Sequence, residues 1–83
     1  YSADVPDGTL VVLDGSIEEI RKTATGGHLI LTVNGTTVFL PDNVAAALEL
    51  HENGSVMLYG TVETYRGKRE IVVNSPGDIQ VHR

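Results

Sequence analysis

The stretch Val62–Val73, VETYRGKREIVV, sets an aromatic ring and three cations within five residues: Tyr65, Arg66, Lys68 and Arg69. The apolar alternation on either side makes this the tip of a β-hairpin. The whole chain holds six lysines and arginines, so half of its positive side chains sit in one turn. Arg21 and Lys22 form a second basic pair, and Arg83 stands at the tail. Guanidinium and ammonium groups hold anionic oxygens through charge-assisted hydrogen bonds, and a tyrosine among them offers a face for stacking. The competing reading is a solvated turn whose charges keep an exposed hairpin from pairing with another chain.

Catalytic chemistry finds no support in the residue pattern. His28, His51 and His82 are far apart, and no His/Asp/Glu spacing suggests a metal. The chain has no cysteine, which excludes thiolate ligands and disulfides. Glu18 and Glu19 are adjacent on a strand, so they point to opposite faces and make no acid–base pair. No serine sits in a nucleophile elbow. Gly26 and Gly27 match no phosphate-binding fingerprint and read most simply as a turn. The chain is therefore expected to be no enzyme and to need no metal or cofactor.

The elements that must position these residues are mostly strands. Val11, Leu13, Gly15 and Ile17 recur every second residue, the mark of a half-buried strand. Ile20 falls out of phase, which predicts a bulge near Glu18 and Glu19. RKTATGG reads as a loop. HLILTV puts Leu29, Leu31 and Val33 on one face and His28, Ile30 and Thr32 on the other. Asn34-Gly35 before TTVFL is the strongest hairpin signal in the chain, because a type I′ turn needs positive φ at both positions. Phe39 lies on the outer face, open to stacking, if Val38 and Leu40 point inward; a register shifted by one makes it plain core.

PDNVAAALELHENG changes period, with Val44, Ala47, Leu48 and His51 on one stripe of a short helix. Asp42 or Asn43 can cap its start and Gly54 its end, and Val44, Ala47 and Leu48 are expected to plug one end of a barrel. In SVMLYGTVETY, Val56, Leu58, Gly60 and Val62 share one side, leaving Met57, Tyr59 and Thr61 outward. RGK turns the chain, REIVV returns with Ile71 and Val73 inward, NSPGD turns again, and IQV closes it.

Eighty-three residues allow one small domain, expected over residues 9–83 behind a loose lead-in at 1–8. With 41% hydrophobic and 20% charged residues the chain is globular, and a core this small without staples closes best as a barrel. No stretch approaches the ~20 apolar residues of a membrane span, and YSADVPDG lacks the order of a secretory signal. Asn34 and Asn53 match glycosylation sequons but fit turns better, so a cytoplasmic location is expected. The formal net charge is −5.

The element order is thus a long bent strand, a hairpin, a short helix and a second hairpin. An SH3-like barrel usually lacks a helix at that point, whereas this is the order of the five-stranded Greek-key OB-fold. From Thr9 to Val81 the chain resembles OB-fold nucleic-acid-binding domains of the tRNA-anticodon and helicase-associated type. LDGSIEEIRKT, GGHLILTV and YGTVETYRGKREIVVNSPGDIQV carry the likeness, with Gly60, Val62, Tyr65, Gly67, Ile71, Val72, Asp78 and Ile79 matching the pattern of the last two strands. The resemblance implies a ligand across strands two and three, clasped by the loop after strand one and the loop between strands four and five. Arg21 and Lys22 fall in the first loop and Arg66, Lys68 and Arg69 in the second. The expected partner is then single-stranded DNA or RNA, with Tyr65, Phe39 and His28 stacking on bases and the five cations holding phosphates. It implies a module of a larger nucleic-acid-processing protein. The alternative is an OB-fold used for protein contact or as a structural module, favoured by the acidic remainder, the lack of tryptophan and 5% aromatic content.

Overall fold

The computed structural model describes residues 5–24 and 26–82, and for His82 the backbone alone. Arg83 and residues 1–4 of the lead-in lie outside the described residues. Six strands and one short helix follow in the order β1 (Leu10–Lys22), β2 (Leu29–Val33), β3 (Thr36–Leu40), α1 (Asp42–Ala46), β4 (Ser55–Tyr65), β5 (Lys68–Val72) and β6 (Ile79–His82). No helix among them is long and apolar enough to cross a membrane.

The bend of β1 makes the barrel. Its first half pairs antiparallel with β4, from Leu10 opposite Thr61 to Ser16 opposite Ser55. The register then slips between Ile17 and Glu19, and the second half pairs with β2, from Ile17 opposite Val33 to Lys22 opposite Leu29. That slip is the predicted bulge, and it returns Ile20 to the core side, half-buried against it. A parallel pairing of β3 with β5, Val38 opposite Ile71 and Phe39 opposite Val72, completes the ring β1-β2-β3-β5-β4-β1. This is the OB-fold, with its helix between the third and fourth strands. IQV, expected as a closing segment, is a full sixth strand along β4 (Val81 opposite Val56), entered through the 3-10 turn Pro76–Asp78.

Period two sets the inside and outside of every strand. Ile17, Leu31, Val33, Val38, Leu40, Val56, Leu58, Val62, Ile71 and Val73 are fully buried in one cluster. Both hairpin turns use two residues at positive φ: Asn34 (50°) with Gly35 (72°), and Arg66 (52°) with Gly67 (77°). These are the type I′ values that match the right-handed twist of the flanking strands.

Three expectations are corrected. The segment after the bulge is strand through Lys22, so Arg21 and Lys22 stand on β1, and the loop is confined to Thr23–His28. The helix is one turn, not the longer stripe to His51. Val44 is buried and Ala45 half-buried, while Ala47 and His51 are exposed. The cause is Leu48 and Leu50, both packed against the core. A continued helix would turn Leu50 about 200° away from Leu48, whereas an extended chain keeps both on the barrel. Nor does Asp42, Asn43 or Gly54 cap that turn, because Pro41 occupies the N-cap and Ala47 the C-cap.

Over Val5–Gly8 the chain is tied to the barrel. Gly8 N–H donates to the Val62 carbonyl at 2.7 Å, Thr64 Oγ1 donates to Asp7 Oδ1 at 2.8 Å, and Val5 packs against the core.

Candidate functional site

A groove of about 460 Å3 opens on the outer face of β2, β3 and β5, lined by Thr23, His28, Ile30, Phe39, Tyr65, Glu70 and Val72. Strand registry builds it. Arg21 faces Ile30, Ile30 faces Phe39, Phe39 faces Val72, and Val72 faces Thr61. Directly paired residues share a face, so one row of side chains crosses five strands outside the barrel. Val38 and Leu40 do point inward, which puts Phe39 on this outer surface.

The loop Thr23–His28 forms one wall. It is held by the Thr23 N–H donating to the His28 carbonyl at 3.0 Å. The His28 ring lies 5.2 Å from the Phe39 ring, tilted by 45°. Its Nδ1 accepts the Asp42 N–H at 2.9 Å, so the imidazole satisfies the first amide of α1 and is locked in place beside Phe39. Gly26 makes this possible. A Cβ there would come within 2.7 Å of His28 Nε2, and φ at Gly26 is +83°, a region that side chains other than glycine's adopt at a cost.

The opposite wall is the β4–β5 hairpin. Tyr65 is 59% exposed, and the Arg66 guanidinium sits 5.3 Å from the centre of its ring. Lys68 stands directly across from Tyr65. One ring face of Tyr65 thus carries a cation, while the groove side stays open.

The five expected cations do not all converge on this groove. Arg66 and Lys68 flank Tyr65. Arg21 ends the outer row beyond Ile30, three strand spacings or about 14 Å from Val72, and its Nε lies 3.5 Å from Glu19. Lys22, in register with Leu29, shares the barrel-facing parity at the open end of β1. Arg69 turns away. It faces Thr64 on the other side of the hairpin, where it bonds the Val5 carbonyl and lies 3.6 Å from Asp7.

Sequence reasoning passed over Thr23, Glu70 and Val72 as site residues, and placed Ile30 on the correct face without assigning it a role. Parity carried the signal for two of them: if Ile71 and Val73 are inward, Glu70 and Val72 are outward. Glu70 is the one acid lining the groove. Burial, and after it the carboxylate of Glu63 directly opposite, push its pKa above the ordinary 4.5 of a glutamate. Among the described residues no cluster of three or more His, Cys, Asp or Glu side chains is placed to hold a metal.

No family model and no curated protein sequence matches the chain. Solved structures do. The S. pombe Stn1–Ten1 complex superposes with a TM-score of 0.68 at 19% identity, covering 89% of this chain and 58% of that one. The OB domain of the Methanosarcina mazei protein MM0293 gives 0.68 at 16% identity over 95% and 75% of the two chains. RecJ from Thermus thermophilus, in complex with Mg2+, gives 0.59 at 24% identity, covering 86% of this chain but 11% of its own length. The chain thus spans 58% of the Stn1–Ten1 chain and a ninth of RecJ. At these identities the likeness establishes the OB-fold.

Proposed function

We propose that the chain is a binding module for single-stranded nucleic acid, held in the groove between the Thr23–His28 loop and the β4–β5 hairpin. The observation that carries this reading is the stacking surface: the His28–Phe39 ring pair and exposed Tyr65 line one groove, with Arg66 over the tyrosine. Bases stack on Phe39 and Tyr65, and Arg66, Lys68 and Arg21 meet phosphates along the rim. Two or three phosphate contacts supply modest affinity, on the order of micromolar or weaker, that falls steeply with salt. Stacking alone accepts every base. The partial coverage of the neighbouring chains supports a module working beside other domains of a longer protein.

Titration of isotopically labelled protein with short single-stranded DNA and RNA, at low and then physiological salt, tests it. Amide shifts clustered at Arg21–His28, Phe39 and Tyr65–Lys68, fading with salt, are expected. The stronger of the two titrations names the nucleic acid. Absence of shifts at millimolar oligonucleotide in low salt retires the reading.

A second reading, protein contact, has its own support. Leu10 (70% exposed), Val12 and Tyr59 form an apolar patch on the outside of β1 and β4, with Val12 directly opposite Tyr59. Shifts at these residues on addition of a partner protein, with none in the groove, favour it.

A further inference from the structure

Glu70 is out of place in a groove that holds phosphates. It is half-buried, it lines the groove with Phe39, Val72 and Tyr65, and it stands opposite another acid, Glu63. None of the hydrogen bonds or ion pairs among the described residues involves its carboxylate. Its nearest charged strand partner repels it. A polar group in such a setting costs stability unless something supplies donors.

The position is specific. Glu70 and Val72 share the outer face of β5, and Val72 is paired with Phe39. Tyr65 is two residues beyond Glu63 on β4, so it is the diagonal neighbour of Glu70, within reach of an aromatic side chain. A base stacked on Phe39 or Tyr65 therefore presents an edge, not a face, to the carboxylate. An ionised carboxylate only accepts, at two oxygens. Guanine offers two parallel donors on its Watson–Crick edge, N1–H and the N2 amine, which match those oxygens in a two-bond fork. Adenine and cytosine offer one amine beside an acceptor. Thymine and uracil offer one N–H between two carbonyl oxygens that repel the carboxylate.

We infer that Glu70 is a specificity-determining residue of the groove, selecting guanine among stacked bases through paired hydrogen bonds to its Watson–Crick edge. The inference rests on the nucleic-acid reading above.

The test compares three labelled-protein titrations at neutral pH and fixed low salt. The ligands are a thymidine heptamer, the same strand with one central guanine, and the same strand with central inosine, which keeps N1–H and lacks the N2 amine. Wild-type protein should prefer the guanine strand over the all-thymine strand about tenfold, with inosine between them. In Glu70→Gln the ratio should fall to within roughly twofold while all-thymine binding is strengthened, since a negative charge leaves the groove. Equal affinities in the wild type, or a preference that survives Glu70→Gln, overturn the inference while leaving the groove as the site. No binding of any strand removes the groove reading itself, and the inference with it. The inosine comparison needs no variant, so it stands even if the substitution disturbs the fold.

Discussion

Glu63 and Glu70 face one another across β4 and β5, and like charges directly opposite in a sheet destabilise it. Because burial and Glu63 hold Glu70 above 4.5, the folded chain binds that proton more tightly than the unfolded chain does. Below 4.5 the group is neutral in both states and carries no penalty. As pH rises through 4.5 toward the raised folded value the penalty grows, and above that value it is complete. Glu70→Gln should thus be more stable than wild type at neutral pH, with the advantage shrinking toward zero as pH falls below 4.5. Urea midpoints measured from about pH 3 to pH 7 check the sign. Glu63→Gln should gain ~0.2–1 kcal/mol near neutrality by the same route. Tyr65 behaves oppositely. It is mostly exposed, so Tyr65→Ala should leave the urea midpoint nearly unchanged while weakening single-strand binding by ~1–3 kcal/mol.

Among the strands and turns, the β4–β5 hairpin does two jobs on its two faces. Tyr65 and, directly across from it, Lys68 stand on the face that carries the groove, whereas Thr64 and Arg69 anchor the lead-in through Asp7 and the Val5 carbonyl. Arg69→Ala should therefore loosen Val5–Gly8, read as faster amide exchange at Gly8, with about 1 kcal/mol lost. Oligonucleotide affinity should stay nearly constant. A large loss of binding in that variant would move Arg69 back into the site. Gly60 shows how closely these strands pack: an added Cβ would meet Ile71 Cγ2 at 2.3 Å and the Val72 carbonyl at 2.8 Å. Since the carbonyl belongs to the β5 backbone, it cannot rotate aside. Gly60→Ala should cost ~1–3 kcal/mol or more in thermal or urea unfolding, and it should shift groove residues on β5 as well.

The whole molecule is acidic, with a formal net charge of −5, and under the proposed function a polyanion is held only where local cations outweigh that field. Arg66 and Lys68 beside Tyr65 are that place. Each phosphate neutralised on a single strand contributes about −0.7 to the slope of log affinity against log salt. Arg66→Ala combined with Lys68→Ala should flatten the slope by ~1.4, whereas Arg69→Ala should not change it. Binding isotherms at three or four salt concentrations separate the two cases.

Much of this was legible in order along the chain, because strand faces follow a local rule. Alternation in HLILTV and SVMLYGTVETY assigned the inner and outer sides, whereas TTVFL left Phe39 between two registers; Asn34-Gly35 and RGK marked the turns, and the phase slip at Ile20 marked the bulge. The same rule already placed Arg69 with Ile71 and Val73, against the grouping of cations by nearness in sequence. What adjacency could not supply was partnership. Arg69 finds Val5 across 64 positions, Leu50, which lay off the expected helical stripe, packs against the core, and Glu70 acquires Phe39 and Tyr65 as neighbours through a parallel and an antiparallel pairing at once. Periodicity is written into each segment by the geometry of its own backbone. A groove is made by segments that meet only when the barrel closes, and closure is settled by how buried side chains from distant strands fill a common interior.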